Sequence, residues 1–339
     1  MIVMRCHASV QWGLGNLTRC RALAQALRAE GAQVAMVGPS IEMQQPGDAE
    51  TFDYWLAMDW QNQSTENAKQ LLEVATQLKA HALVIDDPRA DDDFQQILYA
   101  AKMKWLQFDG TASKPMWAHW ILNALPSANA QAYATVVRNP SASLLLGPMY
   151  AVLREEFART EKKPKLNPDD ISILLIFGGG DDRGAIAWCL KSLNPLLNKN
   201  TKLKIISGSA NPQNNINLKV IEGISKEQIE YFIQPAHPWE IMSTCDLAVM
   251  ASGTTVHEVN VFQLPMILMS VVENQDKPGQ AWAQALGAKY LGDWTQLHSE
   301  LLRDSVQSLL QQIHMQNTPA LVDGLGASRV AKVMCEQLN

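Results

Sequence analysis

Short apolar runs that alternate with stretches of helical spacing constrain this chain more than any other feature of its sequence. In the first half the runs fall at 2–4, 34–37, 83–85, 105–108, 120–122 and 144–146. Each is nearly continuous in apolar residues instead of alternating with polar ones, which marks strands buried on both faces, and so a parallel sheet covered by helices. The rhythm stops in "REEFARTEKKPKLNPDD" at 154–170, a charged, proline-containing segment that reads as a linker. It restarts with runs at 171–177, 203–206, 220–221, 247–250 and 266–271, separated by helical patterns such as 256–262 and 281–286. Two successive doubly wound α/β halves follow. A length of 339 residues agrees, because it exceeds what one hydrophobic core normally holds. The expected boundaries are 1–157 for the first domain, 158–170 for the linker and 171–339 for the second, with the last helix a candidate to return to the first domain.

Composition narrows the partners. A net charge of -6 argues against nucleic acid or an anionic membrane surface, both of which are bound through basic patches. The five cysteines (Cys6, Cys20, Cys189, Cys245 and Cys335) are odd in number and contain no C-x-x-C, so they suggest neither a disulfide framework nor a zinc site. The first ten residues hold too short an apolar run for a signal peptide, and no run reaches the 18 residues of a membrane span. A cytoplasmic protein that uses no metal and no cofactor is the expectation. The oligomeric state is not legible.

In doubly wound sheets ligands bind beyond the carboxyl ends of the strands, so the turns there carry the chemistry. The first candidate, "QWGLGN", places Gly13 and Gly15 before a helical pattern whose N-terminus offers unpaired N–H groups. A structural tight turn is the competing reading. The second, "IFGGGDD", has Gly178, Gly179 and Gly180 in succession, which lets a ligand approach the backbone closely. The third, "ASGTTVHE", is the most informative. Ser252, Gly253, Thr254 and Thr255 are small residues suited to a diphosphate, and Glu258 follows where it can accept from ribose hydroxyls, unless it only closes a capping box. Asp91, Asp92 and Asp93 imitate a metal motif but directly precede a helical pattern, so a cap is the better reading.

Several ordered motifs together resemble one family. "MRCHASVQWGLGNLTRCRALAQAL", "LVIDD", "LQFDG", "WILNA", "LLLGPMYAVLREEF", "IFGGGD", "YFIQPAHPWEIMSTCDLAVMASGTTVHE" and "SVVENQ" are similar to the UDP-sugar hydrolases of pseudaminic acid biosynthesis, over most of the chain. The resemblance implies a GT-B architecture, in which two Rossmann-like domains face a cleft. It also implies metal-independent hydrolysis of a UDP-linked diacetamido-trideoxy sugar, with water attacking the anomeric carbon, for surface glycans or flagellin. UDP falls to the second domain: the backbone near Phe232 and Ile233 for uracil, Glu258 for ribose, and Ser252 to Thr255 with Gly178 to Gly180 for diphosphate. Arg154, Asn274 and Gln275 would serve the sugar or phosphate side.

The chain departs from that pattern where the chemistry should lie. The histidine that the family places after the second glycine is Asn16 here, and the aspartate that follows its first strand is His7. Pro88-Arg89 stands where the family tends to keep a tyrosine, and Gly110 where a second acid is common. An amide is no general base, whereas an imidazole with an ordinary pKa near 6.5 suits that work. His7 and Asn16 are therefore the candidate catalytic pair. Three readings stay open: a hydrolase with His7 as base, a GT-B glycosyltransferase, and a nucleotide-sugar-binding homologue without catalysis.

Overall fold

The computed structural model describes residues 1–8, 14–61, 63–165, 167–224, 226–313 and 318–338. The chain divides into two units, Met1–Glu155 with Gly324–Asn339, and Glu156–Asp323. The first unit contains β1 (Ile2–Cys6), β2 (Val34–Gly38), β3 (Tyr54–Ala57), β4 (Ala82–Asp86), β5 (Lys104–Phe108), β6 (Trp120–Asn123) and β7 (Ser143–Leu146). They form one sheet in the order β3-β2-β1-β4-β5-β6-β7, and every neighbouring pair is parallel. The second unit contains β8 (Ile171–Ile176), β9 (Thr201–Ser207), β10 (Ile229–Ile233), β11 (Leu247–Ala251), β12 (Met266–Ser270) and β13 (Lys289–Asp293). Their order is β10-β9-β8-β11-β12-β13, again all parallel. In each sheet the winding reverses once, between β1 and β4 and between β8 and β11. Those two points leave a crevice beyond the carboxyl strand ends in folds of this kind.

Helix packing explains why the first unit recovers the C-terminal residues. The helix Gly15–Ala29 buries Leu17, Cys20, Leu23, Ala24 and Leu27, a stripe at three- and four-residue spacing. The helix Gly326–Leu338 buries Val330, Ala331 and Met334 in the same apolar cluster. Its first residue must be glycine, since a Cβ on Gly326 would meet the Ala151 carbonyl oxygen at 2.2 Å. At its other end the Trp120 indole N–H donates to Gln337 Oε1 over 2.7 Å.

The pair 220–221, expected as a strand, lies instead in the helix Asn214–Glu222. There Asn217 and Ile221 are buried four residues apart, so helical spacing overrides the strand preference of a short β-branched pair. Three strands escaped the sequence reading. β3 and β10 are sheet edges with largely uncovered residues, and β13 reads Lys-Tyr-Leu-Gly-Asp, so none of the three is a strand buried on both faces like the central ones. Asp91 caps the helix Asp92–Ala100, its side chain accepting from the Phe94 N–H at 3.0 Å.

Candidate functional site

At the crossover of the first unit, the candidate catalytic residues meet on one backbone oxygen. The carbonyl of Asp86, at the end of β4, accepts from the His7 N–H at 3.2 Å and from Asn16 Nδ2 at 3.2 Å. The Asp86 carboxylate takes a two-pronged contact from Arg19, at 3.0 Å from Nε and 2.8 Å from Nη2. Arg19 Nη2 also donates to Asn16 Oδ1 at 2.9 Å, and its guanidinium lies 5.1 Å from the centre of the Phe108 ring. Asn16 thus has its oxygen on a cation and its amide N–H on a carbonyl, so both ends of the amide are held. Burial pushes the Asp86 carboxyl upward against the pull of Arg19. Gly15 opens the helix that carries Asn16 and Arg19, whereas Gly13 lies outside the described residues.

Beside this pair, Asp87 organises a second cluster that the sequence reading did not assign. Its carboxylate, with no exposed side-chain surface, accepts from Arg89 Nε at 2.9 Å and Nη2 at 2.7 Å, and lies 3.5 Å from Arg5 Nε. Both guanidinium groups sit over Trp60, Arg89 at 4.4 Å and Arg5 at 5.2 Å from the ring centre. The His7 imidazole is held below its ordinary pKa by partial burial, with Arg89 and Arg5 adding to the effect and Asp87 opposing it. The direction favours the neutral imidazole. Farther along the strand ends, Asp109 and Asn123 share one partner. Tyr133 donates its hydroxyl to Asp109 Oδ2 at 2.5 Å and accepts from Asn123 Nδ2 at 3.0 Å.

In the second unit the expected diphosphate residues occupy two adjoining strand ends, those of β8 and β11. Gly178, Gly179 and Gly180 follow β8, with Gly178 at φ +88° and open space where each Cβ would stand. Among the described residues no acceptor takes the N–H groups of these three glycines. Gly253 follows β11, and the Gln275 amide nitrogen lies 3.5 Å from where its Cβ would be. The N–H groups of Gly253 and Thr254 likewise find no acceptor among the described residues. Backbone donors at such turns suit anions. Thr255 and Glu258 belong to the first turn of the helix Thr255–Val261, where Glu258 is half-buried.

The remaining candidates differ in what they can offer. Ser252 is buried and its hydroxyl donates to the Met269 carbonyl at 2.8 Å, so its side chain ties β11 to β12 and does not face outward. Gln275 accepts from the Val271 N–H at 2.9 Å, while Asn274 in the same short turn is exposed. Phe232 and Ile233 end the edge strand β10, with Ile233 exposed. Arg154, half-buried, stands directly before the helix Glu155–Arg159.

A buried polar network underlies the glycine turn. Asp182, 1% exposed, accepts from the Gly184 N–H at 2.7 Å, from Asn211 Nδ2 at 2.5 Å and from Asn217 Nδ2 at 3.1 Å. Asn211 also donates to Ser207 Oγ at 2.9 Å, and Tyr231 donates to Asn214 Oδ1 at 2.7 Å. The turns after β8 and β9 are thereby joined, and Tyr231 of β10 packs its hydroxyl on the helix that follows them. Contact is close enough to require glycine at 208, because a Cβ there would meet the Gly179 carbonyl oxygen at 1.9 Å. By contrast, a cavity of about 280 Å³ in this unit is lined by Met266, Gly287 and Lys289, at the amino ends of β12 and β13 and so at the opposite end of the sheet.

Two Rossmann-like parallel-sheet domains in succession are the GT-B fold, and solved structures of that kind match the whole chain. MurG of Acinetobacter baumannii matches with a TM-score of 0.69, at 14% identity over 99% of both chains. The UDP co-structure of MnaA from S. aureus matches at 0.67, with 14% identity over 100% of this chain and 96% of that one. In sequence, the chain is 27% identical over 195 residues to the spore coat polysaccharide biosynthesis protein SpsG of Bacillus subtilis (strain 168). That match spans 56% of this chain and 57% of SpsG. No family model matches the chain.

Proposed function

We propose that the chain is a UDP-sugar hydrolase that acts without a metal and releases UDP in the biosynthesis of a polysaccharide or related surface glycan. The observation that carries the reading is the set of unclaimed backbone donors at Gly178–180 and Gly253–Thr254, grouped at neighbouring strand ends with Glu258 close behind. Diphosphate is held by N–H groups of this kind where no basic side chain is supplied. The UDP co-structure of MnaA, which has the same fold, supports uridine diphosphate as the ligand, and the similarity to SpsG supports a place in polysaccharide assembly. The sugar that the sequence resemblance brings is a diacetamido-trideoxy sugar.

For the chemical step, His7 is the general base and Asn16 its companion. The imidazole takes a proton from water as the water oxygen bonds to the anomeric carbon and the bond to the UDP oxygen breaks. Asn16, fixed by Arg19 and the Asp86 carbonyl, offers no proton at neutral pH and acts as a positioning group. Arg154, Asn274 and Gln275 are assigned to the sugar or phosphate side. Incubation with UDP-sugars, with UDP detected in the presence and absence of acceptors, tests the proposal. UDP release without acceptor supports hydrolysis. Release that depends on an acceptor hydroxyl makes the chain a transferase, and tight binding without release makes it a nucleotide-sugar-binding protein.

A further inference from the structure

Arg5 and Arg89 share a single carboxylate. Among the described residues Asp87 is the one acidic group either arginine meets, and the adjacent Asp86 is committed to Arg19. Arg5 is buried, with 4% of its side chain exposed, and its hydrogen bond from Nη1 goes to a neutral acceptor, the Met58 carbonyl, at 3.1 Å. Two guanidinium groups on one carboxylate leave an excess positive charge in a partly desolvated place. Such a charge is costly unless an anion completes it. The protein as a whole is acidic, so this excess is local and not part of a general basic surface.

The geometry is also that of a prepared binding group. Asp87 holds Nε and Nη2 of Arg89, and Trp60 supports its plane, so the side chain is fixed before any ligand arrives. Its third nitrogen, Nη1, makes no hydrogen bond among the described residues, and 34% of the side chain is exposed. An immobilised, partly open guanidinium loses little freedom on binding an oxyanion. The cluster stands at the carboxyl ends of β1 and β4, the reversal point of the sheet, and its charges are felt by His7.

We propose that Arg89, charged in excess by Arg5 and fixed by Asp87 and Trp60, is an oxyanion-binding subsite beside His7. It takes a carboxylate carried by the sugar or acceptor, or an oxygen of the nucleotide diphosphate. The choice of these ligands rests on the uridine-nucleotide reading above; the subsite itself rests on the charge count and the geometry.

Calorimetry on the full chain with uridine, UDP, UDP-glucose and UDP-glucuronate tests it, comparing wild type with Arg89→Gln. The variant should lose about tenfold to a hundredfold in affinity for an anionic ligand and nothing for uridine. A loss on UDP assigns the oxyanion to the diphosphate. A loss confined to UDP-glucuronate, abolishing its lead over UDP-glucose, assigns it to a sugar carboxylate. Arg89→Lys keeps the charge without the planar fork and should recover only part of the loss. Because Arg89→Gln leaves Asp87 with Arg5, one cation per carboxylate, the variant is expected to remain folded. A lower Tm with all four affinities unchanged marks a purely structural ion pair and overturns the proposal. Should neither protein bind uridine or UDP, the nucleotide reading fails separately. The subsite is then read from the His7 imidazole signals by NMR, with inorganic phosphate and acetate as probes. A saturable shift present in wild type and absent from Arg89→Gln upholds it, and no shift in either protein overturns it.

Discussion

His7 and Asn16 carry opposite expectations under the competing readings, which makes them the most informative residues to change. If His7 is the base, His7→Ala should lower turnover by about 10² to 10⁴ while UDP affinity stays nearly intact, and Asn16→His should bring no gain. If Asn16 instead marks lost hydrolysis, Asn16→His raises UDP release from a trace and His7→Ala changes nothing measurable. The depressed pKa of His7 sets the pH dependence. A base must be unprotonated, so the rate should fall on acidification at a lower pH than an ordinary histidine would give. The same shift makes acid destabilising: the unfolded chain binds the proton more readily, so stability falls as pH drops from about 6.5 through the lower folded value. In the second unit, Glu258→Ala should weaken UDP binding by about 1 to 3 kcal/mol if its hydrogen bonds to ribose are lost, as calorimetry would show.

Among the elements, the turn after β8 depends on a residue thirty positions away. Gly208→Ala drives a methyl group into the Gly179 carbonyl, so the glycine turn must move. A stability loss of about 1 to 3 kcal/mol in denaturant unfolding is expected, together with weaker UDP binding. Sequence alone revealed the three consecutive glycines but not their partner, because Gly208 and the Asp182 network are joined by folding and not by spacing. The strand ends bearing Gly178, Gly253 and Gln275 were legible since each follows an apolar run and small residues punctuate it. Arg5, Asp87, Arg89 and Trp60 were not legible as a cluster, since they come from three separate segments that only folding joins. The same limit applied to Ser252, whose small size suggested a ligand contact while its hydroxyl belongs to the sheet.

For the molecule as a whole, the chain's last helix completes the first unit and not the second. Truncation after Asp323 should remove at least about 3 kcal/mol from the first unit, because Val330 and Met334 are fully buried there. It also strips the Trp120 indole of its acceptor. Calorimetric unfolding should show one transition lowered and the transition of Glu156–Asp323 unchanged. The proposed hydrolysis requires this two-domain chain to direct water to the anomeric carbon of a UDP-sugar. Turnover in ¹⁸O-labelled water, followed by mass spectrometry of both products, tests it most directly. Attack at that carbon puts one labelled oxygen in the free sugar and none in UDP. Label in the UDP phosphate, or no UDP formed without an acceptor from any UDP-sugar offered, would contradict it.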